Sequence, residues 1–353
     1  MSSSLPSRLR LVAFAAVALG LASCARFEIA GPRIYVSDET GTEVVVVDTQ
    51  SRQVVQKIAI GKRPRGVKLS PDGTLLYVAL SGSPIGGPGV DESKLPPADR
   101  AADGIGVIDV ATHSVVKKYD SGPDPEAFAV AADGKTLYVS NEDEGALSAL
   151  DLQSGTIRGR VKVGEEPEGV TIRPDGKAVY VTSEGDGVVT AIDTATLQPI
   201  GTIKTGPRPR SIAFTKDGAT GFVTCENAGL LTVFDTATNA VKTTIQLPKI
   251  DGAPTPPRPM GQALSQDGSK LFVSLGRAKA IAVVDTASLA VTGTIADVGA
   301  RPWGIAVSAD GTKLYTANGP SGDVSIVDIA SGKVEARIKV GGSPWGIAIA
   351  AAK

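Results

Sequence analysis

The chain has 353 residues, a length that suits either two domains or one large all-β unit. Its 36 lysines plus arginines balance 37 aspartates plus glutamates for a net charge of -1, so no basic excess exists to neutralise a phosphate backbone and nucleic-acid binding is excluded. One histidine, His113, and two cysteines, Cys24 and Cys225, exclude a zinc site built from several such ligands and a haem held by paired histidines, so no metal or cofactor is expected.

Arg8 and Arg10 precede an uncharged apolar run from Leu11 to Leu21, the length of a signal-peptide h-region and too short to span a bilayer. Residues 1–23 are therefore expected to be removed on export. The run ends in Leu21-Ala22-Ser23-Cys24, which resembles the lipobox of bacterial lipoproteins. That resemblance implies acylation of Cys24, with residues 24–32 as a lipid-anchored linker, and acyl chains at about 0.8 kcal/mol per buried methylene would hold the chain on a membrane. Ala25 in place of aspartate implies the outer membrane, with the domain in the periplasm. Cys225 is then left without an internal disulfide partner and reads as a buried free thiol.

From residue 33 to residue 350 the sequence is one unit repeated. Apolar runs end at Asp48, Asp109, Asp151, Asp193, Asp235, Asp285 and Asp328, with spacings of 61, 42, 42, 42, 50 and 43. Asp-Gly pairs keep step at Asp72, Asp133, Asp175, Asp217, Asp267 and Asp310, and a proline opens each unit at Pro64, Pro125, Pro167, Pro209, Pro259, Pro302 and Pro344. Within residues 167–208, alternation predicts strands at Gly169–Ile172, Ala178–Thr182, Val188–Asp193 and Pro199–Lys204. Four short antiparallel strands per repeat of about 40 residues describe a propeller blade. The N-terminal unit supplies only three strands (Ile34–Ser37, Val44–Asp48, Val54–Ile60), and Trp345–Ile349 is one left over. The expected fold is an all-β, seven-bladed β-propeller, closed by pairing of the C-terminal strand into the first blade, which removes exposed edges; a monomer is expected.

Tyr138-Val139-Ser140-Asn141 and Tyr180-Val181-Thr182-Ser183, together with the Asp-Gly and proline markers, resemble the YVTN repeat of bacterial propellers. Arg63-Pro64-Arg65-Gly66, Gly122-Pro123-Asp124-Pro125-Glu126, Glu166-Pro167-Glu168-Gly169, Arg208-Pro209-Arg210 and Pro344-Trp345-Gly346 narrow the likeness. In that order they resemble the exported propeller associated with pyrroloquinoline-quinone-dependent alcohol catabolism. The resemblance implies a setting and potential partners, such as a dehydrogenase, a cytochrome or a transporter component, more than a mechanism.

Because strands alternate in direction, the loops leading into each innermost strand share a face with the loops joining second and third strands. Both insertions, residues 81–103 and 249–257, fall on that face, where binding residues on a rigid scaffold usually lie; the long one also suits a solvated excursion. Flanking the prolines around the expected channel mouth stand Arg63 and Arg65, Asp124 and Glu126, Glu166 and Glu168, Arg208 and Arg210, Arg258 and Met260, Arg301 and Trp303, and Ser343 and Trp345. Arginine recognises carboxylates and tryptophan offers a stacking face. One reading is therefore a site for a small anionic or aromatic ligand; the other is internal Arg-Glu neutralisation with the tryptophans as a plug.

The strings Asn141-Glu142-Asp143-Glu144 and Glu184-Gly185-Asp186-Gly187 lack calcium-loop spacing and read as solvated hairpin tips. His113 is expected to be exposed on the opposite face. The strand-ending aspartates recur at one blade position and read as turn caps. Three function classes suit the pattern: a non-enzymatic binding or interaction module, a lactonase-like hydrolase, and a surface structural or adhesive protein.

Overall fold

A computed structural model of the protein describes residues 32–86, 90–254 and 256–351, together with Met1. The signal segment, Cys24 and the linker up to residue 31 lie outside the described residues. Among those described, no helix is long and apolar enough to cross a membrane, and 28 strands, β1 to β28 in chain order, form seven four-stranded antiparallel sheets. Blade one is closed as the sequence predicts. Its order is β28 (Pro344–Ala350), β1 (Arg33–Asp38), β2 (Glu43–Asp48) and β3 (Gln53–Ala59), with Ile34 opposite Ile349 and Tyr35 opposite Ala348. The other blades are consecutive, opening on β4 (Pro64–Leu69), β8 (Pro125–Val130), β12 (Pro167–Ile172), β16 (Pro209–Phe214), β20 (Gln262–Leu264) and β24 (Pro302–Val307).

Blade six departs from the proline rule. Its innermost strand begins at Gln262, three residues after Pro259, and is only three residues long. The insertion at 249–257 lies just upstream of this shortened start.

Each blade carries an aromatic residue at one position of its second strand: Tyr35, Tyr77, Tyr138, Tyr180, Phe222, Phe272 and Tyr315 are all buried. They pack between sheets with β-branched residues of the neighbouring blade, as Tyr35 does with Val67 of β4. Burial of a side chain this size stabilises by roughly 2–3 kcal/mol. The strand-ending aspartates cap turns, as Asp193 shows by accepting the backbone N–H groups of Ala195 and Thr196 at 3.1 and 2.8 Å. Four residues after the seven aspartates φ is positive in every turn, at Arg52, His113, Gly155, Leu197, Asn239, Leu289 and Gly332.

His113 occupies one such turn and corrects the sequence expectation. It is 4% exposed. Its left-handed backbone (φ 55°) tucks the ring against blade one, where Nε2 lies 3.0 Å from the Tyr35 hydroxyl and Nδ1 meets Gln56. Burial, aided by Arg33, lowers its pKa, so the ring is neutral. Cys225 is a buried free thiol, as expected.

Candidate functional site

The residues flanking the opening prolines are positioned by backbone devices repeated from blade to blade. Before the proline, Arg63, Asp124, Glu166, Arg208 and Arg301 have φ between 44° and 59°. This left-handed conformation costs a side-chain-bearing residue on the order of 1 kcal/mol or more. It brings both flanking side chains to one cavity. After the proline, a hydroxyl on the second strand bridges two blades. The Thr182 hydroxyl accepts the Gly169 N–H (2.7 Å) and donates to the Arg210 carbonyl of the next blade (3.2 Å). Ser37, Ser140 and Thr224 do the same for the carbonyls of Arg65, Glu168 and Met260. The carbonyl comes so near that a Cβ at Gly169 would overlap that of Arg210, and one at Gly346 would lie 2.7 Å from that of Arg65. The small residue two places after each proline follows from this approach.

Two arginines act as hubs. Arg65, with a side chain 7% exposed, pairs with Glu126, with Glu142 at 3.2 Å and with Asp124 at 3.6 Å. Burial pulls its pKa down, but Glu126, Glu142, Glu39 and Asp124 outweigh that effect and hold it above the ordinary value. Arg210 pairs with Glu168 and Glu184, and with Glu226 at 2.8 Å. Arg208 reaches Glu184 at 2.6 Å, and Arg63 reaches Glu39 at 3.3 Å. Buried ions need such pairing, since removing one partner of a buried pair typically costs 3–5 kcal/mol.

The lattice does not neutralise evenly. Burial pushes the Glu126 carboxyl well above its usual range despite Arg65, and its Oε1 is buried with no hydrogen-bond partner. Burial also raises Asp124, which accepts a hydrogen bond from the Ser81 hydroxyl. Glu166 is exposed and takes part in no ion pair among the described residues.

Trp303 and Trp345 stack, with ring centroids 5.7 Å apart and planes 22° from parallel. Arg301 lies over Trp303 at 4.4 Å, Arg210 over the same ring at 5.2 Å, and Arg65 near Trp345 at 5.9 Å. Unlike the hubs, Arg301 has no carboxylate within ion-pair distance among the described residues. Burial lowers its pKa from a very high starting value, so it remains a cation.

These groups enclose a cavity of about 440 Å³ lined by Arg63, Arg65, Asp124, Glu126, Glu166, Glu168, Arg208, Arg210, Arg301, Trp303 and Trp345. The long insertion lines the cavity as well, through Ser83, Pro84, Ile85, Leu95, Pro96, Ala98 and Arg100. It is tied to the propeller by Arg100 to Asp143 and by Lys62 to Asp99 at 2.6 Å. Arg258 is absent from the lining: its guanidinium turns to Asn227, with Glu226 3.7 Å away. A second cavity of about 340 Å³ occupies the channel beneath, and Glu168, Arg210, Trp303 and Trp345 border both.

Two strings expected to be solvated tips instead contribute Glu142 and Glu184 to the lattice, both on the mouth cavity. Glu39 and Glu226 join them. The sequence carries the signal as a spacing: Glu142, Glu184 and Glu226 each follow the residue after an opening proline (Glu126, Glu168, Arg210) by 16 positions. Among the described residues, no group of three or more His, Cys, Asp or Glu is placed to hold a metal ion.

A family profile described as cytochrome D1 heme domain matches residues 98–212, and one described as lactonase, 7-bladed beta-propeller, matches residues 192–342. The uncharacterized protein YncE of Salmonella typhimurium is 34% identical over 113 residues, covering 32% of this chain and 26% of that protein. Antigen Lp49 of Leptospira interrogans is 29% identical over 109 residues, covering 31% of this chain and 23% of that one. The chain thus spans about a quarter of the length of the curated relatives it matches. Among solved structures, the periplasmic gluconolactonase PpgL of Pseudomonas aeruginosa superposes with a TM-score of 0.72 at 20% identity, over 91% of this chain and 99% of that one. Hydrazine synthase of Kuenenia stuttgartiensis superposes with a TM-score of 0.64 at 21% identity, over 80% and 88%. At these identities the likeness carries the fold: a closed seven-bladed propeller, similar in parts to lactonase-type and YncE-type chains.

Proposed function

We propose that this chain is an exported, lipid-anchored binding propeller whose mouth takes up an aromatic or quinone-like carboxylate, in the setting of quinone-dependent alcohol oxidation. The supporting observation is Arg301. The hub arginines are committed to carboxylates, whereas Arg301 lines the same cavity as a cation, lies over Trp303 at 4.4 Å and lacks an ion-pair partner among the described residues. An aromatic acid would stack on the Trp303–Trp345 pair and place its carboxylate at Arg301, a charge-assisted bond worth roughly 1.5–3 kcal/mol. Calorimetric titration with pyrroloquinoline quinone tests this. Arg301→Ala and Trp303→Ala are each expected to weaken binding about tenfold or more with the melting temperature kept. Arg65→Ala and Arg210→Ala are expected to lower the melting temperature, because they strand buried carboxylates. Unchanged affinity in the Arg301 and Trp303 variants would sink the ligand reading and favour a periplasmic protein partner at this face.

A second reading is hydrolysis, prompted by the lactonase likeness over residues 192–342. It has one specific support: burial raises the Glu126 carboxyl well above its usual range and leaves one of its oxygens unpartnered at the mouth cavity, suiting it to exchange a proton with a bound substrate. The cytochrome-type match finds less support. His113, the only histidine, is held by Tyr35 and Gln56 on the opposite face, so it does not fit a haem at the mouth.

A further inference from the structure

The channel below the mouth is built from the innermost strands, and its walls follow the repeat closely except at one position. Four residues after the opening prolines stand Ala129, Thr171, Ala213, Ala263, Ala306 and Ala348, all small. Blade two has Lys68 there. Its side chain lines the 340 Å³ channel cavity beside Phe128, Val67 and Ile347. Its side chain is exposed to the lumen, and the protein around the channel lowers its pKa. Among the described residues its ammonium has no hydrogen bond and no ion pair.

An ammonium exposed to the channel and without a carboxylate of its own can meet an anion that enters there. The Arg210–Glu168 pair and the stacked tryptophans line both cavities, at the junction of mouth and channel.

We infer that the channel is a second binding compartment in which Lys68 anchors a small monocarboxylate with a hydrocarbon body. One ammonium matches one negative charge. The valine, isoleucine and phenylalanine side chains and glycines of the channel offer apolar contact to the hydrocarbon body. This inference does not rest on the mouth reading.

Benzoate is the probe, titrated calorimetrically into the full chain and its variants. Lys68→Met is expected to lower benzoate affinity at least tenfold, Lys68→Arg to keep it within about threefold, and Arg301→Leu to leave the Lys68-dependent site intact. A second readout follows Lys68 itself. After reductive 13C-methylation, its NMR titration midpoint is expected to rise when benzoate saturates the site, because an adjacent carboxylate favours the charged amine. Equal benzoate affinity in wild type and Lys68→Met, or a Lys68 midpoint that benzoate does not move, overturns the assignment and leaves Lys68 a solvated channel lysine. Loss of benzoate binding only in Arg301→Leu would place it at the mouth and likewise overturn the channel site.

Discussion

Burial in the lattice outweighs the pull of Arg65 and raises the Glu126 carboxyl well above its usual range. Its folded pKa lies above the unfolded value near 4.3, so the folded chain retains a proton that the unfolded chain has already released. The sign follows: its contribution to stability is most favourable below about pH 4.3 and declines as pH rises toward the raised folded value. Glu126→Gln mimics the protonated acid at every pH. We expect this variant to melt above wild type at neutral pH, with the difference shrinking as the buffer approaches pH 4.5. A difference that stays constant across thermal melts at several pH values would show Glu126 ionised in the folded chain. The neighbouring Glu142, Glu184 and Glu226 were legible only as a 16-residue spacing. For Glu142 and Glu184 local polarity argued for solvated tips, and the blade geometry that turns them inward is not a local property.

At the scale of strands, the contact that sets the mouth is the hydroxyl stitch between blades. Thr182 on the second strand of blade four fixes both β12, through the Gly169 N–H, and β16, through the Arg210 carbonyl. Thr182→Val keeps the volume and the β-branching but leaves a buried N–H and a buried carbonyl without this partner. The expected loss is about 1–3 kcal/mol of unfolding free energy, measured by denaturant titration. An unchanged midpoint would show that solvent replaces the stitch. The strand pattern itself was plain in the sequence: Val188–Asp193 and Pro199–Lys204 occur as predicted, since period-two alternation reports burial directly. Strand ends elsewhere shifted by one or two residues because pairing with a neighbour, not polarity, sets where a ladder stops.

For the whole ring, closure rests on β28, which buries Ile347, Ala348 and Ala350 against blade one. Removing residues 344–353 strips that strand and also Trp345 from its stack, leaving β1 as an open edge. Aggregation or a sharply lowered melting temperature is expected, since several ladder bonds at about 1 kcal/mol each vanish with the apolar burial. A truncated chain that melts like the intact one would refute ring closure as the main restraint.

By itself the sequence determined the blade number, the closing strand, the face bearing the insertions and the ring of charges beside the prolines, because each is a regularity that repeats with the chain's own period. Only the tertiary structure decided which charges meet. It turned Arg258 away, committed Arg65 and Arg210 to carboxylates from neighbouring blades, left Arg301 stacked on Trp303, and buried His113. The physical reason is that ion pairing and burial depend on distances across the ring, as between Arg65 and Glu126, 61 positions apart, or His113 and Tyr35, 78 positions apart, and one-dimensional spacing does not encode how a left-handed turn or a shortened strand aims a side chain.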